Sequence, residues 1–252
     1  MKILALNGSH RGAAGCTQWL LERIAEGARA AGAEFETVVL AEQNIKRCSG
    51  CETCHTPGHL LRCVYEQEDD VKAIHAKMKA ADILIYATPV YIFGLTGLMK
   101  TFLDRFNSTV GGDELGVTDS GLFFHRTDRA FHGKPFVVLT CCGNVEGETT
   151  KNVISYFRTV AKFLDAPLVG VLARKSVGLL RSEAAPAGKR QEAAVAAVTV
   201  AYVQAGRELA SQGRITAKTA REANQQLLGI PLLGLILKFP FLKRLALRRK
   251  SQ

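Results

Sequence analysis

Residues 2–17 read KILALNGSHRGAAGCT, and this stretch decides the fold class. The run at 2–6 is apolar after its first lysine, which is typical of a short strand buried on both faces. Residues 7–15 form a glycine-containing turn, and Thr17 is a suitable N-cap for a helix that continues to about residue 31. The stretch therefore predicts a strand, a tight turn and a helix, in that order.

The same alternation continues along the chain. Further buried strands are predicted by the apolar runs at 35–40, 82–87, 136–139 and 168–172. Helices are predicted at about 69–78, 97–106, 149–164 and 191–212. Strands that are apolar throughout and alternate with helices predict an α/β fold with a five-stranded parallel sheet, covered by helices on both faces.

The charge of the chain is unevenly distributed. The 252 residues are 47% hydrophobic and 22% charged, which suits a folded globular protein, and their net charge is +10. Residues 213–252 contain nine basic residues and one acid, a net of +8, so the rest of the chain carries +2. We therefore predict a nearly neutral domain at 1–212, a basic extension at 213–252, and no nucleic-acid partner.

Two features bear on the cellular compartment. Residues 1–10, MKILALNGSH, do not resemble a secretory signal, so we expect a cytoplasmic protein. The seven cysteines are an odd number, and four of them fall within sixteen residues: Cys48, Cys51, Cys54 and Cys63. In a reducing compartment such a group favours metal or redox chemistry over disulfides.

Three segments that follow predicted strands are candidate binding loops. The turn at 7–17 joins glycines, hydroxyls and Arg11 to a helix N-terminus; this suits an anion, although an ordinary strand-to-helix turn is the alternative. Residues 88–94, TPVYIFG, offer a flat ligand an apolar surface unless their rings fold back onto the core. Residues 140–144, TCCGN, allow a ring system to approach the backbone. Ligands of open parallel sheets bind at the carboxyl ends of strands, where these segments lie.

The chain combines these loops, in a fixed order, with two further features. One is a helix end with Lys100, Asp104 and Arg105, and the other is the group of four cysteines before Asp69 and Asp70. Together they resemble the NAD(P)H-dependent FMN reductase and iron–sulfur flavoprotein branch of the flavodoxin superfamily, over about the first 170 residues. The resemblance implies a flavodoxin-like, doubly wound fold that binds FMN and takes electrons from NAD(P)H. We expect Asp104 and Arg105 to form a structural ion pair.

The resemblance also implies which residues contact the cofactor. Ser9, Arg11 and Thr17 would hold the FMN phosphate, within a turn that includes Gly15 and Cys16. The isoalloxazine ring would be bordered by Pro89, Val90, Tyr91, Ile92, Phe93, Thr140, Cys141, Cys142 and Gly143. No catalytic acid or base is implied, because the flavin supplies the chemistry. The chain departs from the family's usual proline at His10 and its usual asparagine at Cys16.

The cysteine loop has three interpretations. The spacing Cys48-x2-Cys51-x2-Cys54-x8-Cys63 suits a [4Fe-4S] cluster, although the last gap is longer than in related iron–sulfur flavoproteins. A loop of free thiols is the second interpretation. Zinc is the third and is less favoured, because structural zinc sites usually have two separated pairs of ligands.

Three functions follow from these patterns. The first is hydride transfer from NADH or NADPH to FMN and then to an acceptor such as a quinone, an aromatic compound, a metal ion or a protein. The second is an iron–sulfur flavoprotein that carries electrons without NAD(P)H activity of its own, and the third is a protein that has kept the fold and lost flavin. The resemblance implies a homodimer or higher homo-oligomer, with the long connection at 111–132 as candidate contact or flavin cover.

The C-terminal stretch at 227–247 reads LLGIPLLGLILKFPFLKRLAL, which predicts a helical, apolar and basic tail. Its prolines and lysines argue against a membrane span, and its apolar content argues against a disordered linker. One interpretation packs the following residues on the domain or on a second subunit: Leu227, Leu228, Leu232, Leu233, Leu235 and Ile236. The other is peripheral membrane contact, with anionic lipid meeting Lys238, Lys243, Arg244, Arg248, Arg249 and Lys250.

Overall fold

The computed structural model describes residues 1–180, 188–228, 230 and 232–248. The strands are β1 (Lys2–Asn7), β2 (Glu34–Val39), β3 (Ile83–Pro89), β4 (Val110–Val117), β5 (Phe123–Thr127), β6 (Phe136–Cys141) and β7 (Leu168–Arg174). The helices are α1 (Cys16–Ala30), α2 (Val71–Ala80), α3 (Gly97–Asp104), α4 (Arg129–His132), α5 (Glu148–Phe163), α6 (Lys189–Gln212), α7 (Ala217–Ala223), α8 (Leu233–Ile236) and α9 (Pro240–Arg248).

Five of the strands form one parallel sheet in the order β2-β1-β3-β6-β7. β1 is flanked on both sides, so Ile3 pairs with Phe35 of β2 and with Ile83 of β3. This is the doubly wound, flavodoxin-like order, and it confirms the predicted fold class. The chain leaves β1 in one direction and later leaves β3 in the other, which opens a crevice between the carboxyl ends of these two strands.

Both faces of the sheet are covered, which explains why the strands are apolar throughout. Successive side chains of a strand point to opposite faces, so neighbours such as Ile3 and Leu4 enter different cores. One core lies under α1 and α6. The other lies under α2, α3 and α5.

The packing of α6 on α1 depends on two glycines. A Cβ atom on Gly27 would lie 1.8 Å from the carbonyl oxygen of Val203, and one on Gly206 would lie 1.9 Å from that of Ile24. Because real side chains do not approach so closely, the two helices can cross at this distance only with glycine at both positions.

The connection at 111–132 is not a plain loop, which corrects the sequence-based expectation. β4 and β5 pair in antiparallel fashion and form a separate two-stranded sheet, and α4 follows them. Three apolar side chains of this hairpin are largely exposed: Leu115, Val117 and Phe123.

Part of the extension covers the outer edge of β7. The backbone N–H of Ile215 donates to Val169 O at 2.9 Å. The Asn224 side chain accepts from the Ala173 N–H at 2.7 Å and donates to Val171 O at 3.2 Å. An edge strand exposes unpaired backbone groups, and these contacts satisfy them. The division into 1–212 and 213–252 stays a prediction, but residues 215–227 pack on the same core as the sheet.

Candidate functional site

The three predicted binding loops meet at the crevice between β1 and β3. The Gly8 N–H donates to Ala87 O at 2.8 Å, and the Thr96 hydroxyl donates to Gly8 O at 2.7 Å, which ties the first loop to the second. The Val90 N–H donates to Cys141 O at 2.8 Å, which ties the second loop to the third. The loops therefore form one continuous surface at the carboxyl edge of the sheet.

The first loop presents one charged side chain and the start of a helix. Arg11 is exposed, whereas the Ser9 hydroxyl is buried and accepts from the Arg11 N–H at 3.3 Å. α1 begins at Cys16, and its N-cap residue, Gly15, has no side chain that could cap the first backbone N–H groups. Uncapped N–H groups and the positive end of the helix dipole suit an anion at this position.

Thr17 does not cap α1, which corrects the expectation from sequence, because the N-cap is Gly15. Thr17 lies inside the first turn and is buried, and its hydroxyl is 3.4 Å from the sulfur of Cys141. In this structure Thr17 links the first loop to the third.

The second loop carries a strained apolar tip. Tyr91 and Gly94 exchange two backbone hydrogen bonds of 3.1 Å, and the residues between them, Ile92 and Phe93, have φ angles of 44° and 60°. A positive φ is costly for residues with bulky side chains, above all for a β-branched one. Ile92 is nevertheless 92% exposed and Phe93 60% exposed. The strain holds two large apolar side chains in solvent beside the crevice.

An aromatic contact joins the tips of the first two loops. The His10 and Tyr91 rings stack with centroids 5.9 Å apart and an angle of 14° between their planes. His10 departs from the family's usual proline, and the fold brings it to Tyr91, 81 positions away.

The third loop combines buried thiols with an open backbone. Burial raises the pKa of Cys141 to about 12, and burial also raises the pKa of Cys142. Both thiols are therefore neutral near pH 7, which excludes them as thiolate nucleophiles. A Cβ atom on Gly143 would have nothing within 4 Å, so a planar ligand can approach the backbone there.

The four cysteines of the loop at 44–67 line one small cavity of about 20 Å³. Burial raises the pKa of Cys54, and the charges of Cys63, Cys51 and Cys48 raise it further. Among the described residues, however, no three His, Cys, Asp or Glu side chains are already placed to hold a metal ion. The thiols converge without forming a finished metal site.

A buried ion pair anchors this cysteine loop. Arg105 is 2% exposed, and its guanidinium pairs with Asp69 and donates to Lys46 O at 2.9 Å. Asp69 and Cys63 together raise the pKa of the guanidinium against the effect of burial. The expected pair of Asp104 with Arg105 is wrong, because Asp104 instead pairs with Lys100 one helical turn earlier. Adjacent residues on a helix point in different directions, whereas residues four apart meet.

Two histidines, the half-buried His75 and the buried His132, lie beneath the same loop. His75 and His132 pack edge-on against Phe106 and Phe131. Burial lowers the pKa of each imidazole to about 4. Each side chain has one ring nitrogen that is buried without a hydrogen-bond partner among the described residues. Both histidines are therefore neutral near pH 7.

A cavity of about 990 Å³ lies beside the cysteine loop rather than at the crevice. Its lining includes Cys48, Phe106, Phe124, Tyr156 and Phe163, and no residue of the three binding loops. Its volume alone does not make it the functional site, since the strain, the uncapped helix and the switch of strand order all lie at the crevice.

The comparison with protein families concerns the part of the chain that holds these loops. Residues 1–173 match the model of the NADPH-dependent FMN reductase family. The chain belongs to this family. The three binding loops and the cysteine loop lie inside the matched region, whereas α6 and the extension lie outside it.

Curated relatives of this FMN reductase family member include iron–sulfur flavoproteins. One from Archaeoglobus fulgidus is 38% identical over 105 residues, which are 42% of this chain and 48% of the relative. A putative NAD(P)H-dependent FMN-containing oxidoreductase of Bacillus subtilis is 34% identical over 110 residues, which are 44% of this chain and 54% of the relative. The chain thus spans about half the length of the curated relatives it matches.

Solved structures support the fold of this family member. An FMN-dependent NADH-azoreductase from Bacillus anthracis, determined with FMN, superposes with a TM-score of 0.59 at 13% identity. The match covers 83% of this chain and 99% of the azoreductase. Among the described residues, no helix is both long enough and apolar enough to cross a membrane.

The crevice of this FMN reductase family member fits a flavin nucleotide. The first loop suits a phosphate, and the open backbone at Gly143 leaves room for a ring. The hydroxyls of Thr140 and Ser176, both near this edge, are buried without a hydrogen-bond partner among the described residues. Ser176 was not predicted, because it follows the fifth parallel strand, for which the sequence indicated no binding loop.

Proposed function

We propose that this protein is an NAD(P)H-dependent FMN oxidoreductase that passes electrons from the flavin to an acceptor such as a quinone. The proposal rests mainly on the joining of three loops at the point where the strand order reverses. This point is where doubly wound sheets bind their ligands. Membership of the NADPH-dependent FMN reductase family supports it.

The first loop would hold the phosphate group of FMN. Arg11 supplies a charged donor, the first turn of α1 at Gly15, Cys16 and Thr17 supplies backbone N–H groups, and Ser9 shapes the turn. The rings would lie against the second and third loops. Their residues are Pro89, Val90, Tyr91, Ile92, Phe93, Thr140, Cys141, Cys142 and Gly143.

FMN, when bound, accepts a hydride from NAD(P)H and releases the electrons to the acceptor. The chain's task is to bind and orient the ring and to exclude water. The exposed side chains of Ile92 and Phe93 provide apolar surface for this purpose. We assign no acid or base, since the thiols nearest the crevice, Cys141 and Cys142, are neutral near pH 7.

A titration of two flavins tests the phosphate assignment. FMN should bind much more tightly than riboflavin, which lacks the phosphate, and Arg11→Ala should weaken FMN binding by about ten- to a hundredfold. The matched control is Arg62→Ala, another exposed arginine remote in sequence from the loop. Equal affinities for FMN and riboflavin would show that the site is misassigned.

An iron–sulfur electron carrier is the second candidate function. The convergence of four thiols on one cavity favours it, and several curated relatives are named iron–sulfur flavoproteins. If a [4Fe-4S] cluster is held by Cys48, Cys51, Cys54 and Cys63, anaerobically purified protein contains stoichiometric iron and absorbs broadly near 400 nm. Cys51→Ser should then abolish both while Ser49→Ala keeps them. Iron-free protein with unchanged FMN content in both variants identifies a loop of free thiols.

We propose a homodimer in which the β4–β5 hairpin contributes to the contact. Its exposed apolar side chains Leu115, Val117 and Phe123 support this assignment. A monomeric mass in solution together with full activity would remove it. A reducing, cytoplasmic location is proposed alongside, because all seven cysteines are unpaired.

A further inference from the structure

The last part of the chain has one sign of charge. After Glu222 the remaining 30 residues contain no acid and six basic residues: Lys238, Lys243, Arg244, Arg248, Arg249 and Lys250. Lys238 and Arg244 are exposed, and neither joins a salt bridge within the described ranges. The Arg248 side chain, Arg249 and Lys250 lie outside what the structure describes. The sequence shows only that these three residues are basic.

Two contacts hold this segment at the edge of the candidate flavin site. The Gln226 side chain donates to Val145 O at 3.3 Å, and Lys243 pairs with Glu146 at 2.6 Å. Val145 and Glu146 directly follow the third binding loop, which ends at Gly143 and Asn144. The segment therefore lies beside the mouth of the crevice.

Half of the large apolar side chains described in the segment are exposed, and the others, Leu228 and Ile236 among them, are buried or half-buried. Leu227 and Leu233 are buried and anchor it, as the packing interpretation predicted. Burial on the domain is wrong for Leu232 and Leu235, which are 73% and 46% exposed. We name as the C-terminal surface the exposed side chains Ile230, Leu232, Leu235, Lys238, Phe239, Phe241, Arg244 and Leu245.

The helix α9 mixes apolar and basic exposed residues. Phe241 and Leu245 are four residues apart and so lie on one side of the helix, next to Arg244. At nine residues, α9 is far too short to span a bilayer. A short amphipathic helix with aromatic, leucine and basic side chains is suited to lying in a membrane interface.

A second copy of this chain is a poorer occupant of the C-terminal surface. A symmetric contact would place the same patch against itself. Each copy would then bring Lys238 and Arg244 toward those of the other, with no acid of either segment between them. An anionic lipid surface instead offers hydrocarbon to the apolar side chains and negative charge to the basic ones.

We propose that the C-terminal surface docks on an anionic lipid bilayer and turns the mouth of the flavin crevice toward it. Docking on a bilayer makes a lipid-soluble quinone the class of electron acceptor, an assignment that rests on the proposed oxidoreductase function. The overall reaction balances as NAD(P)H, a proton and the quinone giving NAD(P)⁺ and the quinol, with two electrons transferred. The docking itself needs no flavin and no turnover.

Vesicle binding by the full-length protein tests the docking. It should bind vesicles rich in phosphatidylglycerol, not neutral phosphatidylcholine vesicles, and 1 M salt should release it, because the Debye length falls from about 10 Å at 0.1 M to about 3 Å. Lys238→Glu/Arg244→Glu should weaken binding by about twenty-fivefold or more, since each positive charge removed costs about fivefold. The matched control is Arg158→Glu/Lys162→Glu, two exposed residues toward the C-terminal end of α5, the end away from Glu146. This control should bind normally.

The apolar part of the surface has its own variant. Leu232→Ser/Phe241→Ser should also lower binding, whereas Val200→Ser, an exposed valine on α6, should not. Absence of binding by the unmutated chain, equal binding to neutral vesicles, or unchanged binding by Lys238→Glu/Arg244→Glu would overturn the docking. A charge-reversal variant that changes the mass in solution but not vesicle binding would identify a second copy as the occupant.

Two quinones with the same head group test the acceptor assignment. One carries a long hydrocarbon chain, and the other carries none. Lys238→Glu/Arg244→Glu should lower turnover of the long-chain form dissolved in anionic vesicles by about tenfold. It should leave turnover of the chainless form in buffer within about twofold, since the altered residues only position the enzyme. Equal loss with both forms would overturn the acceptor assignment. If neither form is reduced while vesicle binding persists, the quinone assignment fails and the docking stands. The proposed oxidoreductase function fails only if bound FMN also stays oxidised with both NADH and NADPH.

Discussion

The cysteine loop and the C-terminal extension are each held by one buried arginine, and the two arginines are satisfied in different ways. Arg105 is paired with the carboxylate of Asp69. Arg174 is fully buried at the end of β7 and donates to three backbone carbonyls, those of Lys175, Ala223 and Gln225. One anchor is an ion pair, and the other is a charge whose hydrogen bonds, among the described residues, go to backbone carbonyls.

The pKa values of the two guanidinium groups shift in opposite directions because of this difference. Burial acts to lower the pKa of Arg105, but Asp69 and Cys63 outweigh it and the pKa is raised. Burial lowers the pKa of Arg174, which forms no salt bridge within the part of the chain that the structure describes. Removing Arg105 would therefore strand a buried negative charge, whereas removing Arg174 would leave only unpaired carbonyl groups. The cysteine loop should be the more sensitive region.

The largest effect is expected for Arg105→Met. An uncompensated buried carboxylate at Asp69 should lower the free energy of unfolding by about 3–5 kcal/mol, as measured by urea titration. Lys100→Met breaks the exposed pair with Asp104 and should change stability by less than about 1 kcal/mol. If both variants lose the same stability, the ion pair is not the anchor of this loop.

Arg174→Met should cost less, about 2–3 kcal/mol, because hydrogen bonds are lost without stranding a charge. The loss should be local. Trypsin should cut within residues 214–221 sooner than in the unmutated protein, and the loop at 44–67 should keep its protection. Glu222→Gln, an exposed change on α7 that removes no trypsin site, serves as control. If trypsin cut residues 214–221 and the loop at 44–67 equally sooner, the two regions would not be anchored separately.

Mild acid should separate the two regions further. The folded-state pKa values of His75 and His132 lie near 4, below the ordinary value of 6.5. The unfolded chain therefore binds more protons between these values, and stability falls as the pH drops from about 6.5 to about 4. We expect a slope of about 1–2 kcal/mol per pH unit from both histidines.

Hydrogen exchange at pH 7 and pH 5 locates this loss. Protection around the cysteine loop should decrease at pH 5, whereas residues 213–228 contain no histidine and should keep theirs. Their contact to Glu208 also persists, since hydrogen bonds from Thr219 and Thr216 outweigh burial and lower the pKa of that carboxyl. His132→Gln should reduce the slope, and an unchanged slope would remove the two histidines as its cause.

The smallest effect concerns thiol reactivity. Hydrogen bonds from Thr53 lower the pKa of the exposed Cys51, whereas burial raises that of Cys54. Iodoacetamide at pH 7.5, followed by mass spectrometry, should modify Cys51 first and Cys54 later, with Cys142 near the extension also slow. Cys51→Ser should change stability by less than about 0.5 kcal/mol. Prior modification of Cys54 would show that the loop is more open than the structure describes.

The sequence predicted the strands well because both faces of each are buried, so apolar residues run continuously, as in residues 83–87. It also predicted which loops meet, because the carboxyl ends of parallel strands share one edge. It missed the β4–β5 hairpin, since three glycines among residues 110–117 weaken the pattern of a strand.

The sequence could not predict contacts between residues that are far apart along the chain. Asp69 and Arg105 are 36 residues apart, and no local rule selects Asp69 over the neighbouring Asp104. The contacts of Arg174 and Asn224 depend on where the extension crosses the edge of β7, which only packing determines. The strain at Ile92 and Phe93 was also hidden, because these residue types do not indicate a positive φ.

The decisive measurement is the visible spectrum of the anaerobic protein with FMN, recorded before and after addition of NADPH. The protein should be yellow, and its absorbance near 450 nm should bleach on addition of NADPH and return when a quinone is added. Arg11→Ala should show the same changes only at higher FMN concentration. A protein that binds no FMN, or one whose bound FMN stays oxidised with both NADH and NADPH, would contradict the account.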